Sequence, residues 1–173
     1  MKKKISFLII FNFFIINLSF ASNIAFIDLN FIINNSIVGK NVISKLERIN
    51  NNNLDALKKE QIYLNDQKEQ IDKTRNILSK EELDNKISIL NNEFQNFNKK
   101  QELMSKEFNE LKQTEMSDLL DKINPIIEKY MIENMIDLML KKENVYISKS
   151  QYNVSKEIIE LINKDFSNWC RLH

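Results

Sequence analysis

The chain has one glycine, one proline, one histidine and one cysteine among its 173 residues. Each scarcity removes a class of protein from consideration. A phosphate-cradling loop needs several glycines in a short span, so nucleotide-driven work is excluded. The single histidine, His173, is the last residue, which leaves no imidazole for a catalytic triad or a histidine-rich metal site. No catalytic, cofactor-binding or metal-ligating residues are therefore assigned, and no cofactor is expected. Cys170 has no second cysteine to pair with, so it is either a bridge to another molecule or a spare thiol near the C-terminus. Gly39 and Pro125 are the lone helix breakers, and residues 40–124 contain neither. The tight turns of a compact sheet domain usually recruit one or the other, so long helices fit this stretch.

The first residues set the compartment. Lys2, Lys3 and Lys4 precede an apolar run over residues 5–20, and the small residues Ser19 and Ala21 stand three and one positions before a peptidase site. This pattern predicts a signal peptide over residues 1–21, cleaved after Ala21, and export to the periplasm. The run is short for a bilayer span, which needs about 20 apolar residues, although an uncleaved anchor is the alternative. Losing three lysines takes the formal charge from +1 to −2. No sustained basic block survives, which argues against nucleic acid as a partner.

Heptad spacing organises the middle of the chain. Leu83, Ile87, Leu90, Phe94, Phe97, Gln101, Met104, Phe108 and Leu111 alternate steps of four and three, a coiled-coil seam with one polar position. The apolar set resumes one residue out of phase as Met116, Leu119, Ile123, Ile126 and Tyr130, so the packing face rotates there. A weaker partner series runs through Val42, Leu46, Ile49, Asn53, Leu57, Leu64, Ile71 and Leu78. Ser79 followed by Glu82 is a capping-box pattern, which places a chain reversal near residues 75–78. The result is a helical-hairpin arm over residues 40–130. Pro125 inside its second helix removes a backbone donor and predicts a kink.

Such an arm is too thin to hold a globular core, so its base needs an anchor. Residues 24–27 read as a short strand; Ile136, Leu138 and Leu140 share one parity as a second. Residues 141–144 offer a turn, and residues 145–147 read as a third strand. From Ser155, residues Ile158, Ile159, Leu161, Ile162 and Phe166 trace an amphipathic helix, capped by Asn153 or Ser155. Residues 22–39 and 131–173 would then form one small body. The fold class is α+β, mainly α, with a strand-containing body and a long antiparallel arm. A body this small is marginal without association. Ile24, Phe26, Leu138, Leu140 and Tyr146 are the candidate oligomerisation residues.

These ends and their order resemble the OmpH/Skp family of periplasmic chaperones over essentially the whole mature chain. Residues 24–30 lead through Ile32 and Ile33 to Gly39 and Lys40, resembling the family's strand, short helix and glycine before the first arm helix. Residues 136–140, then 145–147, then Asn153, Val154 and Ser155 resemble its C-terminal signature, where the last triplet typically reads Asp-Ile-Thr. The resemblance implies a homotrimer whose three arms enclose a cavity, and an ATP-independent holding chaperone for unfolded outer-membrane proteins. Relatives are described as strongly basic on their arms, whereas residues 40–130 interleave lysine with acidic residues to near balance. Contact with a membrane surface is thus carried as a further partner without a cationic arm to drive it.

Seam aromatics belong to packing within the arm, so off-seam apolar residues are the better client contacts. Tyr63, Ile77, Leu78, Leu103 and Met116 are the candidates. Glu81, Glu82 and Asp84 read as a helix start that favours negative charge. The alternative function is a structural coiled-coil adaptor or spacer of the cell envelope, without chaperone activity.

Overall fold

The computed structural model describes residues 23–172, with side chains through Ser167. The expected signal segment 1–21, its cleavage after Ala21, and the side chains of Cys170 and His173 lie outside the described residues. In chain order the elements are β1 (Ile24–Ile27), α1 (Leu29–Asn35), α2 (Ile37–Thr74), α3 (Lys80–Glu133), β2 (Leu138–Lys141), and α4 (Ser155–Leu172). Two single turns of 3-10 helix, Lys142–Asn144 and Ser150–Tyr152, separate β2 from α4. The chain is mostly helical, as its scarcity of turn residues requires. No helix among the described residues is long and apolar enough to cross a membrane.

The arm forms as the heptads predict. Helix α2 ends at Thr74, the chain reverses, and Ser79 opens α3. The capping box is complete: the Ser79 side chain accepts from the Glu82 backbone N–H, and the Glu82 carboxylate accepts from the Ser79 backbone N–H. Leu64, Leu90 and Phe97 are buried between the helices, with Leu57, Ile71 and Phe94 packed around them. Two ion pairs cross the arm, Lys45 to Glu115 and Lys100 to Glu60, both at 2.6 Å, and both fit one antiparallel register. The rotation after Leu111 is present too, since Leu119 and Ile123 are fully buried in a different cluster.

That second cluster is the core of the body. Ala25 and Ile27 from β1, Ile32 and Ile33 from α1, Leu119, Ile123 and Ile127 from α3, and Ile158 and Ile162 from α4 pack together. Val42 and Ile43 of α2 and Met116 of α3 lie against it. The body therefore draws on the roots of both arm helices, which supply apolar area that three strands and two short helices would lack.

Neither helix breaker breaks a helix. Pro125 lies well inside α3, which continues to Glu133. Gly39 does not precede the arm helix; it sits in the first turn of α2, which begins at Ile37. Ser36 joins α1 to α2 by donating its N–H to the Ile32 carbonyl and accepting from the Gly39 N–H with its side chain. The two helices meet so closely that a Cβ at position 39 would stand 2.0 Å from the Ile33 carbonyl oxygen. The obstacle is backbone, which no rotamer change relieves.

A further correction concerns the sheet. Among the described residues only β1 and β2 pair, in parallel, with Ile24 beside Leu138 and Phe26 beside Leu140. Residues 145–147 are not a strand: they pair with no strand of this chain and follow a single turn of 3-10 helix instead. The far side of β1 is met instead by one bridge between Phe26 and Asn153. Helix α3 ends with Met135 at φ 51°, a left-handed position usually given to glycine. The Ile136 N–H then reaches the Met131 carbonyl at 2.9 Å.

A polar clasp ties these pieces together. The Asp28 N–H donates to Ser155 Oγ at 2.8 Å, and that hydroxyl donates to Asn153 Oδ1 at 2.6 Å. Asn153 Oδ1 also accepts from the Ser155 N–H, so of the two proposed caps Asn153 satisfies a backbone donor of α4, while the Ser155 hydroxyl accepts from Asp28 instead. Asp28 Oδ1 caps α1 through the Phe31 N–H, while Oδ2 accepts from Lys142 Nζ at 2.7 Å. The Lys142 hydrogen bond first, and the Phe31 N–H second, hold the Asp28 carboxyl below the ordinary carboxylate range.

Two predictions follow from these contacts. Gly39→Ala forces α1 and α2 apart and should destabilise the fold by about 3 kcal/mol, the upper end for an overpacked site. The urea midpoint should fall with an unchanged slope, and an unchanged midpoint would refute the close-approach reading. Because the Asp28 pKa is lower folded than unfolded, its stabilisation is present above the unfolded value of about 4 and is lost as pH falls through the folded value. Asp28→Asn keeps a capping side chain but loses the charge. Its stability between roughly pH 5 and pH 2 should vary less steeply than that of the parent protein, measured by denaturant melts across that range.

Candidate functional site

Two apolar surfaces remain after the chain has folded. The first is the outer face of the two-stranded sheet. Side chains alternate along a strand, so Ala25 and Ile27 enter the core while Ile24 and Phe26 point the other way. The parallel register sets Leu138 and Leu140 beside them. Four of the five predicted oligomerisation residues thus share one face. Ile24 and Leu138 are 45 and 47% exposed, Leu140 is half-buried, and Phe26 is already buried within the single chain.

Tyr146, the fifth, lies beyond β2 and is fully exposed, followed by Ile147 at 85%. A tyrosine and an isoleucine side by side in water gain nothing from that position in a lone chain. Tyr152 is exposed as well. Sequence reasoning passed over Ile147 and Tyr152. The signal was present in the apolar run at residues 145–147, which stays outside the two-stranded sheet.

The second surface is the arm. Tyr63 and Leu103 are exposed along its flanks, and Ile77 stands 84% exposed at the reversal. Leu78 is half-buried in the same turn. Met116 is different: it packs on the body core and is not a free arm residue. The correction has a simple cause, since Met116 opens the rotated apolar set that continues into Leu119. Leu54, Ile62 and Ile89 are exposed arm residues of the same kind that were not singled out. They too lie off the seam, so spacing alone does not rank them below Tyr63 or Leu103.

Some charged groups on the arm are engaged in local contacts. Glu69 is held low by Lys73, and Glu82 by the Ser79 hydroxyl and backbone. Burial raises Tyr130, with Glu157 adding to it, where the root of α3 passes α4. Among the described residues, no three metal-binding side chains gather in one place. What the arrangement offers is apolar contact distributed over a long, thin support.

The comparisons agree with this architecture. A family described as "Outer membrane protein (OmpH-like)" matches residues 23–162. No curated protein sequence matches the chain. Among solved structures, the chain is similar to an OmpH-like protein from Caulobacter crescentus CB15, named as a candidate outer membrane chaperone. The two are 17% identical with a TM-score of 0.76, over 83% of this chain and 85% of that one. At that identity the structural likeness speaks for the fold, whereas the family match covers most of the sequence. This chain belongs to the OmpH-like outer membrane protein family.

Proposed function

We propose that the protein is an ATP-independent holding chaperone of the periplasm that binds unfolded outer-membrane proteins and keeps them from aggregating before membrane insertion. The observation that carries this reading is the exposed apolar material on an arm with almost no interior: Tyr63, Ile77 and Leu103 are open to solvent on a two-helix hairpin. Helix α3 spans 54 residues, roughly 80 Å at 1.5 Å per residue. Such a support presents many weak contacts over a long distance, which suits an unfolded chain with no fixed surface. Binding the unfolded state shifts the client away from self-association without nucleotide. Family membership supports the same reading.

The chain acts as a homotrimer in this proposal, exported by the segment over residues 1–21. The sheet face carrying Ile24, Leu138 and Leu140, with Tyr146 and Ile147 nearby in sequence, is the surface that the copies cover. Burying a large aliphatic side chain contributes about 1.5–3 kcal/mol, so several from each copy offset the cost of association. Three arms on one body raise the local concentration of contacts around a bound client. Tyr63, Ile77, Leu78 and Leu103 are the proposed client contacts, and a membrane surface is a further partner.

The mature protein should suppress aggregation of a denatured outer-membrane barrel in light scattering without ATP. An envelope adaptor or spacer would leave the scattering unchanged. Sedimentation should give a mass near three chains. Placing charge on the sheet face with Ile24→Glu and Leu138→Glu should lower that mass to one chain while helical circular dichroism persists. A trimer that survives the double substitution would remove this face from the assembly.

A further inference from the structure

Near its free end the arm does not close. Ile87 occupies a seam position in the heptad series yet is 38% exposed, whereas Leu90 and Phe97 on the same helix are buried. In the register set by the Lys45–Glu115 and Lys100–Glu60 pairs, residues 68–75 of α2 come opposite residues 85–92 of α3. Between them lies an open slot of about 500 Å³, floored by Ile71, Leu83, Ile87, Leu90 and Phe94.

We infer that this slot is a client subsite that takes one large apolar side chain from an extended polypeptide segment. The inference rests on the chaperone reading and assigns one of its contacts to a defined place. The volume falls within the range of roughly 300–1,000 Å³ typical of ligand sites, and an apolar floor with a few polar groups at the rim has the usual composition. The rim identifies the occupant. Asn65 and Asn91 stand at its edge, and amides carry both a donor and an acceptor. A peptide backbone presents both kinds of group on either side of an inserted side chain. Asn65 Oδ1 accepts from Gln61 Nε2 at 3.3 Å, which leaves its NH2 group for a peptide carbonyl.

The charges at the rim point the same way. Lys68 and Arg75 face the slot together with Asp72, so one net positive charge remains. A single exposed excess charge is screened within about 8 Å at physiological salt and holds a phosphate-bearing lipid only weakly. A segment without basic residues, carrying a phenylalanine, leucine or isoleucine side chain, meets the slot without adding like charge to this rim. A side chain seated there also covers Ile87, which the arm itself leaves wet.

The test uses the full mature protein and fluorescent seven-residue peptides, acetylated and amidated, built of serine and threonine around a central phenylalanine or alanine. The phenylalanine peptide should bind at least tenfold more tightly than the alanine peptide in fluorescence anisotropy. Ile87→Trp fills the slot from the α3 side and should weaken the phenylalanine peptide at least tenfold with helicity unchanged. Asn91→Ala should weaken it about threefold with helicity unchanged. Ile132→Ser, an exposed residue at the far end of α3 and outside the slot, should leave it unaltered. Equal binding of the two peptides, or undiminished binding by a folded Ile87→Trp variant, overturns the subsite. Displacement of the peptide by phosphatidylglycerol vesicles in a manner abolished by Ile87→Trp overturns the polypeptide assignment in favour of lipid. Aggregation suppression measured in parallel separates the two readings. If the parent protein protects a denatured barrel yet does not distinguish the peptides, the slot fails and the chaperone stands; peptide discrimination without protection gives the reverse.

Discussion

The parallel pairing of β1 with β2 is the constraint on which the molecule depends. Parallel neighbours need a crossover that returns to the same end of the sheet, and here that crossover contains α1 and the whole arm. The arm therefore leaves the sheet end along α2, 38 residues, and returns along the longer α3, 54 residues. The contacts around the pairing are correspondingly dense. Asn23 donates its N–H to Asp137 and its side-chain amide to the Met135 carbonyl, and the Asp28 clasp gathers the starts of α1 and α4. Residues more than a hundred positions apart are thus joined by directional hydrogen bonds around four residues of strand.

Packing follows from this plan. A helical pair hides only the stripe where the two surfaces meet, so an arm residue off that stripe stays wet unless another molecule covers it. The body escapes this limit by stacking the roots of α2 and α3 against α1, β1 and α4, which fully buries Ile32, Leu119, Ile123, Ile158 and Ile162. Within one chain, the same body leaves an apolar sheet face behind. Both exposed surfaces arise from one shortage: the elements are too few to cover each other.

Much of this was legible in the residues, for reasons that differ by element. The arm was readable because heptad spacing and the Ser79–Glu82 box are local signals, and the rotation after Leu111 follows from a phase change of one residue. The shared face of Ile24, Phe26, Leu138 and Leu140 was readable from strand parity. Gly39 was not, since its importance depends on how near the Ile33 carbonyl comes, which spacing does not encode. Residues 145–147 have the composition of a strand but pair with no neighbour within this chain, and composition does not encode pairing. Met116 was misplaced for a subtler reason: it lies on the boundary where the apolar stripe changes direction, and only the packing says which core it joins.

The polar middle of the seam has its own consequence. Asn50, Asn53 and Glu60 lie part-buried along α2 and Gln101 is exposed on α3, interleaved with the part-buried Ile49, Met104, Phe108 and Leu111 between the body core and the cluster around Leu64 and Phe97. Between Leu46 and Leu64 on α2, and between Phe97 and Leu119 on α3, no apolar side chain is buried. A stretch with few buried apolar contacts costs less to open locally than the packed ends on either side of it.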